Sequence, residues 1–80
     1  MSERMSFKMQ RLELRKKHLF LEDKAKDTLS NLRKILNPAI PLASIREDDA
    51  MDTLAVLVQQ VVELRGIESQ LAVLNAELEG

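Results

Sequence analysis

The sequence predicts an all-α protein, an antiparallel two-helix hairpin that dimerises into a four-helix bundle. Strong helix formers dominate the composition, and the 80 residues include two Gly, two Pro and no Tyr or Trp. Apolar residues recur at steps of three and four over two long segments, which is the spacing of one helix face. Both prolines lie together between these segments, in Asn37-Pro38-Ala39-Ile40-Pro41. The chain therefore reads as one helical-hairpin domain, residues 1–80.

The first helix is predicted from about residue 5 to residue 36. A residue before proline is driven out of the helical region, so the helix should stop near Leu36. Arg33 and Lys34 lie in its last turn, where cations suit the helix dipole. Its apolar stripe consists of Phe7, Leu14, Leu21, Ala25, Thr28, Leu32 and Ile35.

The second helix is predicted from about residue 45 to residue 78, after a proline hinge at 37–43. Ser44 and Glu47 have the spacing of a capping box, with Ser44 as the N-cap. The hinge is short enough to fold the helices back antiparallel. The apolar stripe is one residue short of a heptad repeat near Gly66, and it predicts a coiled coil with a local irregularity. It contains Leu54, Leu57, Val61, Leu64, Ile67, Leu71, Leu74 and Leu78.

Both helices carry more apolar surface than one neighbouring helix can cover. Residues 53–62 (TLAVLVQQVV) contain no charge, although 31% of the chain is charged. On the first helix, a second apolar set lies nearly opposite the stripe. This excess predicts an oligomer interface, because an 80-residue chain is near the lower limit for a self-sufficient core. The predicted interface residues are Leu54, Leu57, Val58, Val61, Val62, Leu64, Leu71, Met9, Leu12, Leu19 and Phe20.

The two halves of the chain differ in charge. Residues 1–41 contain ten Lys or Arg and five Asp or Glu, whereas residues 42–80 contain two and eight. Part of this difference is helix-end chemistry. The remainder favours a basic helix lying against an acidic one, within a chain or between chains.

Four cations form a stripe at steps of four, three and four on the first helix. They are Arg4, Lys8, Arg11 and Arg15. Such a stripe could contact the phosphates of a nucleic acid, or it could be a solvated face or a surface that pairs with acids. No aromatic interleaving accompanies it, and the chain has a net charge of -1.

The residues carry no recognisable catalytic, cofactor-binding or metal-binding constellation. There is no Cys and a single His, His18, and no Gly-rich phosphate loop. We therefore expect neither an enzyme nor a small-molecule binder. The uncharged stretch is short for a membrane span and no signal-peptide pattern is visible, so the expected location is the cytoplasm, with no membrane partner.

These patterns favour a non-enzymatic protein–protein interaction module, such as a small adaptor, an assembly factor or a chaperone-like subunit. Its expected partner is a second copy of the chain, as a homodimer, or another helical protein. The alternative is a small nucleic-acid-binding regulator that uses the basic stripe on the first helix.

Overall fold

The computed structural model describes residues 3–79, which form two long helices joined by a short connection. Helix α1 spans Glu3–Ile35 and helix α2 spans Glu47–Glu79, with a single 3-10 turn at Leu42–Ser44 between them. The helices pack against each other along a rod of 62 × 16 × 15 Å, and the described residues contain no strand. The prediction of an all-helical hairpin is confirmed.

The connection is a chain of tight turns around the two prolines. The amide of Leu36 donates to the carbonyl of Leu32 as α1 ends. The Asn37 side-chain oxygen then accepts the Ala39 amide at 2.9 Å, and the Asn37 carbonyl accepts the Ile40 amide at 3.0 Å. Asn side chains favour such local bonds over helix continuation. Asn37 and Pro38 together end the helix one residue before the predicted Leu36.

Helix α2 starts at Glu47, and the predicted capping box does not form. The Ser44 amide donates to the Pro41 carbonyl at 2.8 Å, so Ser44 belongs to the 3-10 turn that Pro41 begins. Ile45 is extended, and the Arg46 carbonyl accepts the first bond from Ala50. Arg46 therefore takes the N-cap position. The acids at 47–49 lie in the first turn, where the helix dipole favours negative charge.

The helices meet along a continuous heptad seam with no missing residue. The more buried residues of α1 are Phe7, Arg11, Leu14, His18, Leu21, Ala25, Thr28, Leu32 and Ile35. Those of α2 at the same alternating spacing are Ala50, Thr53, Leu57, Gln60, Leu64, Ile67, Leu71, Leu74 and Leu78. The predicted irregularity near Gly66 is wrong, because Thr53 and Gln60 take the positions that the apolar pattern had given to Leu54 and Val61. Leu54 is 48% exposed.

The buried core is thin. Seven described residues are buried, from 7% to 9% exposed, and no large side chain among them falls below 2%. Near the hinge, Leu32, Ile35 and Ala50 form one cluster, against which Leu57 packs. Two helices alone can bury only one face each. The hairpin therefore leaves many large apolar side chains in contact with solvent, fourteen of them at least 39% exposed among the described residues.

Candidate interaction surface

Three polar contacts cross the seam in the half of the hairpin farthest from the hinge. An Arg4 Nη donates to the carbonyl of Leu78 at 2.6 Å, and an Arg11 Nη donates to Asn75 Oδ1 at 3.3 Å. His18 Nε2 lies 2.9 Å from a Glu68 carboxylate oxygen. As the residue number increases along α1, the number of the contacted residue on α2 decreases. The two helices are therefore antiparallel, and the three contacts define their register.

Each helix presents two flanks beside the seam. We label the seam positions a and d of a heptad, so that Leu32 is an a position and Ile35 is a d position. Positions b and e, which directly follow a and d in the sequence, then lie on one flank, and positions c and g lie on the other. Antiparallel helices are related by a two-fold axis perpendicular to both, so equal letters lie on the same side of the hairpin. Two surface clefts confirm this assignment for the c and g side. They are lined by Gln10, Leu14, Gln70, Val73 and Leu74, and by a second set that includes Asn31, Lys34, Asp49 and Asp52.

The flank of b and e positions carries most of the exposed large apolar residues, and we call it the apolar flank. Its apolar members on α1 are Met5, Leu12, Leu19, Leu29 and Leu36, and on α2 they are Met51, Leu54, Val58, Val61 and Ala72. Eight of these are large residues between 39% and 67% exposed. These side chains face solvent and lie along one side of the rod. The other positions of the flank are polar or charged, and those on α1 are Lys8, Arg15, Glu22, Lys26 and Arg33.

The flank of c and g positions is mainly polar, and we call it the polar flank. Among the described residues, its apolar members are Phe20, Val56 and Val73, which lie between Lys, Asp, Glu, Gln and Asn residues. Phe20 is 62% exposed, and the Lys24 ammonium lies 4.8 Å from its ring centroid. A cation over an aromatic face keeps such a ring favourable in water. The two flanks therefore differ in the amount of exposed apolar surface that they carry.

The predicted interface residues fall into three groups. Leu57, Leu64 and Leu71 lie in the seam, half-buried against α1, and Val61 lies half-buried beside it. Four of the eleven, Leu12, Leu19, Leu54 and Val58, are exposed on the apolar flank. The remaining three lie elsewhere: Met9 and Val62 at positions opposite the seam, and Phe20 on the polar flank.

Sequence reasoning did not include Met5, Leu29, Leu36, Met51 and Ala72 among the predicted interface residues. The missing signal was the phase of the seam in α2. Once Thr53 and Gln60 are assigned to the seam, Met51, Leu54 and Val58 fall on the same side of the hairpin as the exposed leucines of the apolar flank on α1. Apolar periodicity alone favours Leu54 and Val61 as seam residues, because Thr and Gln are rarely chosen as core positions.

The structure splits the predicted basic stripe. Arg4 and Arg11 occupy seam positions and bind α2. Lys8 and Arg15 lie on the b and e side and are exposed. The four cations therefore do not form a single free row, although each stays in the open half of the hairpin.

His18 lies between two carboxylates. Its Nδ1 is 3.8 Å from Glu22 and its Nε2 is 2.9 Å from Glu68, and its side chain is 23% exposed. Among the side chains described at 4–79, no group of three His, Asp or Glu residues is arranged to hold a metal ion. The cluster serves as a bridge between α1 and α2.

Neither helix, over the part of the chain that the structure describes, is long and apolar enough to cross a membrane. No family model matches the sequence, and no curated protein or solved structure shows significant similarity to it.

Proposed function

We propose that this chain is a non-enzymatic protein–protein interaction module that acts as a homodimer. Two hairpins pack through their apolar flanks into a four-helix bundle, with the character of an adaptor, an assembly factor or a chaperone-like subunit. The observation that carries the proposal is the uneven distribution of exposed large apolar residues, because eight lie on the apolar flank and three, Phe20, Val56 and Val73, on the polar flank. Exposed patches of this kind mark protein interaction sites in soluble chains.

The amount of exposed surface supports a partner of substantial size. The chain exposes 6374 Å², whereas a compact monomer of its 9.1 kDa mass would expose about 4,900 Å². The excess of roughly 1,500 Å² exceeds the ~800 Å² that each partner buries in a standard stable interface. A second hairpin laid along the apolar flank would remove part of this excess.

A matched pair of substitutions tests the proposal. Val58 and Val73 both lie on α2 and are 52% and 61% exposed, but Val58 is on the apolar flank and Val73 on the polar flank. We expect Val58→Lys to convert the dimer to a monomer, because the ammonium would be desolvated in the interface. Val73→Lys should leave the dimer intact. Light scattering after size exclusion reads both masses.

Two results would contradict the proposal. One is a dimer that tolerates Val58→Lys as well as Val73→Lys, because the interface would then lie elsewhere. The other is loss of the dimer with Val73→Lys alone. Circular dichroism of both variants shows whether the helices remain, so that unfolding is not mistaken for dissociation.

The nucleic-acid alternative has less support. Arg4 and Arg11 are engaged with α2, which leaves Lys8 and Arg15 of the stripe. A gel shift at low salt tests it with mixed-sequence duplex DNA and RNA as probes. Under the interaction-module proposal no complex forms, whereas affinity that falls steeply with salt and weakens in Lys8→Ala/Arg15→Ala would favour the alternative.

A further inference from the structure

The apolar flank is built unevenly along its length, and this asymmetry bears on how a second copy would dock. Its e positions lie next to the seam and form the middle of the flank. In the half near the hinge, which includes the connection, the e positions are Leu29, Leu36, Leu54 and Val61. In the open half, where the helix ends farthest from the hinge meet, they are Lys8, Arg15, Glu22, Glu68 and Asn75. One half is apolar at its centre and the other is charged.

Two symmetric arrangements bring two such flanks face to face. A two-fold axis along the rod places both hinges at the same end, with α1 of each copy over α2 of the other. A two-fold axis across the rod places the hinges at opposite ends, with α1 over α1 and α2 over α2. In both arrangements neighbouring helices are antiparallel, so helix packing alone does not choose between them.

The opposite-end arrangement sets unlike halves against each other. Lys8 and Arg15 of one copy would then lie over the leucine-rich half of the other. A cation moved from water into an apolar contact costs several kcal/mol unless it is paired. Both halves of the bundle would carry this mismatch, because the two-fold axis repeats it.

The same-end arrangement sets like halves together. The four apolar e positions of each copy form a dry centre near the hinges, with Met51 and Val58 beside them on α2. Lys26 and Arg33 lie at the outer b positions of α1 in this half, where long side chains can keep their charged ends in water. In the open half, Arg15 lies within one helical turn of Glu68 of the second copy, and Glu22 lies within one turn of Arg65 of the second copy. The basic α1 faces the acidic α2, which is the pairing that their opposite net charges favour.

We propose that the second copy docks with its hinge at the same end, so that the Leu29, Leu36, Leu54 and Val61 sets of the two copies pack against each other. This inference rests on the proposed homodimer and adds its orientation. The occupant is a second copy because the chain itself presents the complementary surface: an apolar half matched by an apolar half and a basic helix matched by an acidic one.

Single spin labels measure the orientation directly, since the sequence contains no Cys. Ala43→Cys places a label in the exposed 3-10 turn at the hinge. Ser69→Cys places a second label, in a separate variant, on the exposed face of α2 within about two turns of its middle. Pulsed electron–electron dipolar spectroscopy then gives the distance between the two copies of each label.

The two labels separate the outcomes. The Ser69→Cys label should give a short distance in either arrangement, and so reports the dimer itself. We expect the Ala43→Cys label to give a distance below about 40 Å, because neighbouring helix axes in a bundle are ~8–10 Å apart. A hinge distance near the 62 Å length of the rod, with a short Ser69→Cys distance, would overturn the orientation but leave the dimer. Absence of a dipolar signal from both labels would overturn the homodimer and the orientation with it.

Discussion

Gln60 is a polar residue in the hairpin seam whose side-chain oxygen is buried and finds no hydrogen-bond partner among the described residues. It lies one heptad from the contact of His18 with Glu68, near the level of the small Ala25. A buried carbonyl without a partner costs about 1–3 kcal/mol. Gln60 is therefore a weak point of the hairpin that a compatible apolar side chain should relieve.

Gln60→Leu should raise the free energy of unfolding by about 1–2 kcal/mol, because it removes the unpartnered carbonyl and adds apolar contact. Denaturant titration measures the change. Gln59→Leu is the matched control, since Gln59 is exposed on the polar flank. A loss of stability in Gln60→Leu would mean that the amide holds a partner in the assembled protein.

Two neighbouring residues of α2 separate the contribution of packing from that of charge. Ile67 is 7% exposed in the seam, while the Glu68 side chain is 63% exposed and reaches His18. Truncating a buried aliphatic side chain to Ala costs about 2–5 kcal/mol, whereas an exposed polar or charged contact contributes about 0–1 kcal/mol. Packing should therefore dominate the stability of this half.

Ile67→Ala should lower the free energy of unfolding by at least about 2 kcal/mol, and Glu68→Ala by less than about 1 kcal/mol. Both variants are compared at one protein concentration, since association contributes to stability. Equal losses in the two variants would mean that the contact between His18 and Glu68 stabilises the hairpin as much as the burial of Ile67 does. That result would contradict the expectation.

At the scale of the elements, the sequence predicted two helices, their hinge and their antiparallel direction, because proline and helical periodicity act locally. The start of α2 was predicted wrongly. Ser44 has capping-box spacing, but Pro41 initiates a turn whose bonds already use the Ser44 amide. Such competition between neighbouring turns depends on three-dimensional geometry, which the spacing of two residues does not encode.

The position of the N-cap makes a testable difference. Ser44→Ala should leave stability within about 0.5 kcal/mol, because Ser44 lies outside α2. Arg46→Ser should raise it by about 0.5–1 kcal/mol, because serine caps a helix where arginine does not. Thermal unfolding followed by circular dichroism measures both. A loss near 1 kcal/mol in Ser44→Ala would restore the capping box.

Gly66 lies in the interior of α2, at a position where the hairpin has room for a larger side chain. A Cβ added there would meet nothing within 4 Å. Within the single hairpin, Gly66 is therefore a tolerated helix defect rather than a site of close helix approach.

Gly66→Ala should raise the free energy of unfolding by about 0.5–1 kcal/mol, because alanine restricts the unfolded chain and favours the helix. Denaturant titration measures the gain, and the dimer mass should not change, since Gly66 lies on the polar flank. Dissociation of the dimer by this single methyl group would show that α2 approaches a partner closely at this point.

For the whole molecule, the sequence predicted that the apolar surface exceeds what one hairpin buries, but it did not place that surface on one side. The amount of apolar surface follows from the composition and the length of the chain, which do not depend on how the helices pair. The side depends on the phase of the seam, and that phase is set by Thr53 and Gln60 rather than by the apolar residues nearby. The candidate surface therefore became visible once the two helices were paired.

Two hairpins are proposed to associate through their apolar flanks, and the molar mass of the unmodified chain in solution tests this association. Sedimentation equilibrium over a dilution series at micromolar concentration should give twice the 9.1 kDa of the chain. The mass should fall toward that of a single chain on dilution, as mass action requires. A folded, helical species that stays at 9.1 kDa throughout the series would contradict the account.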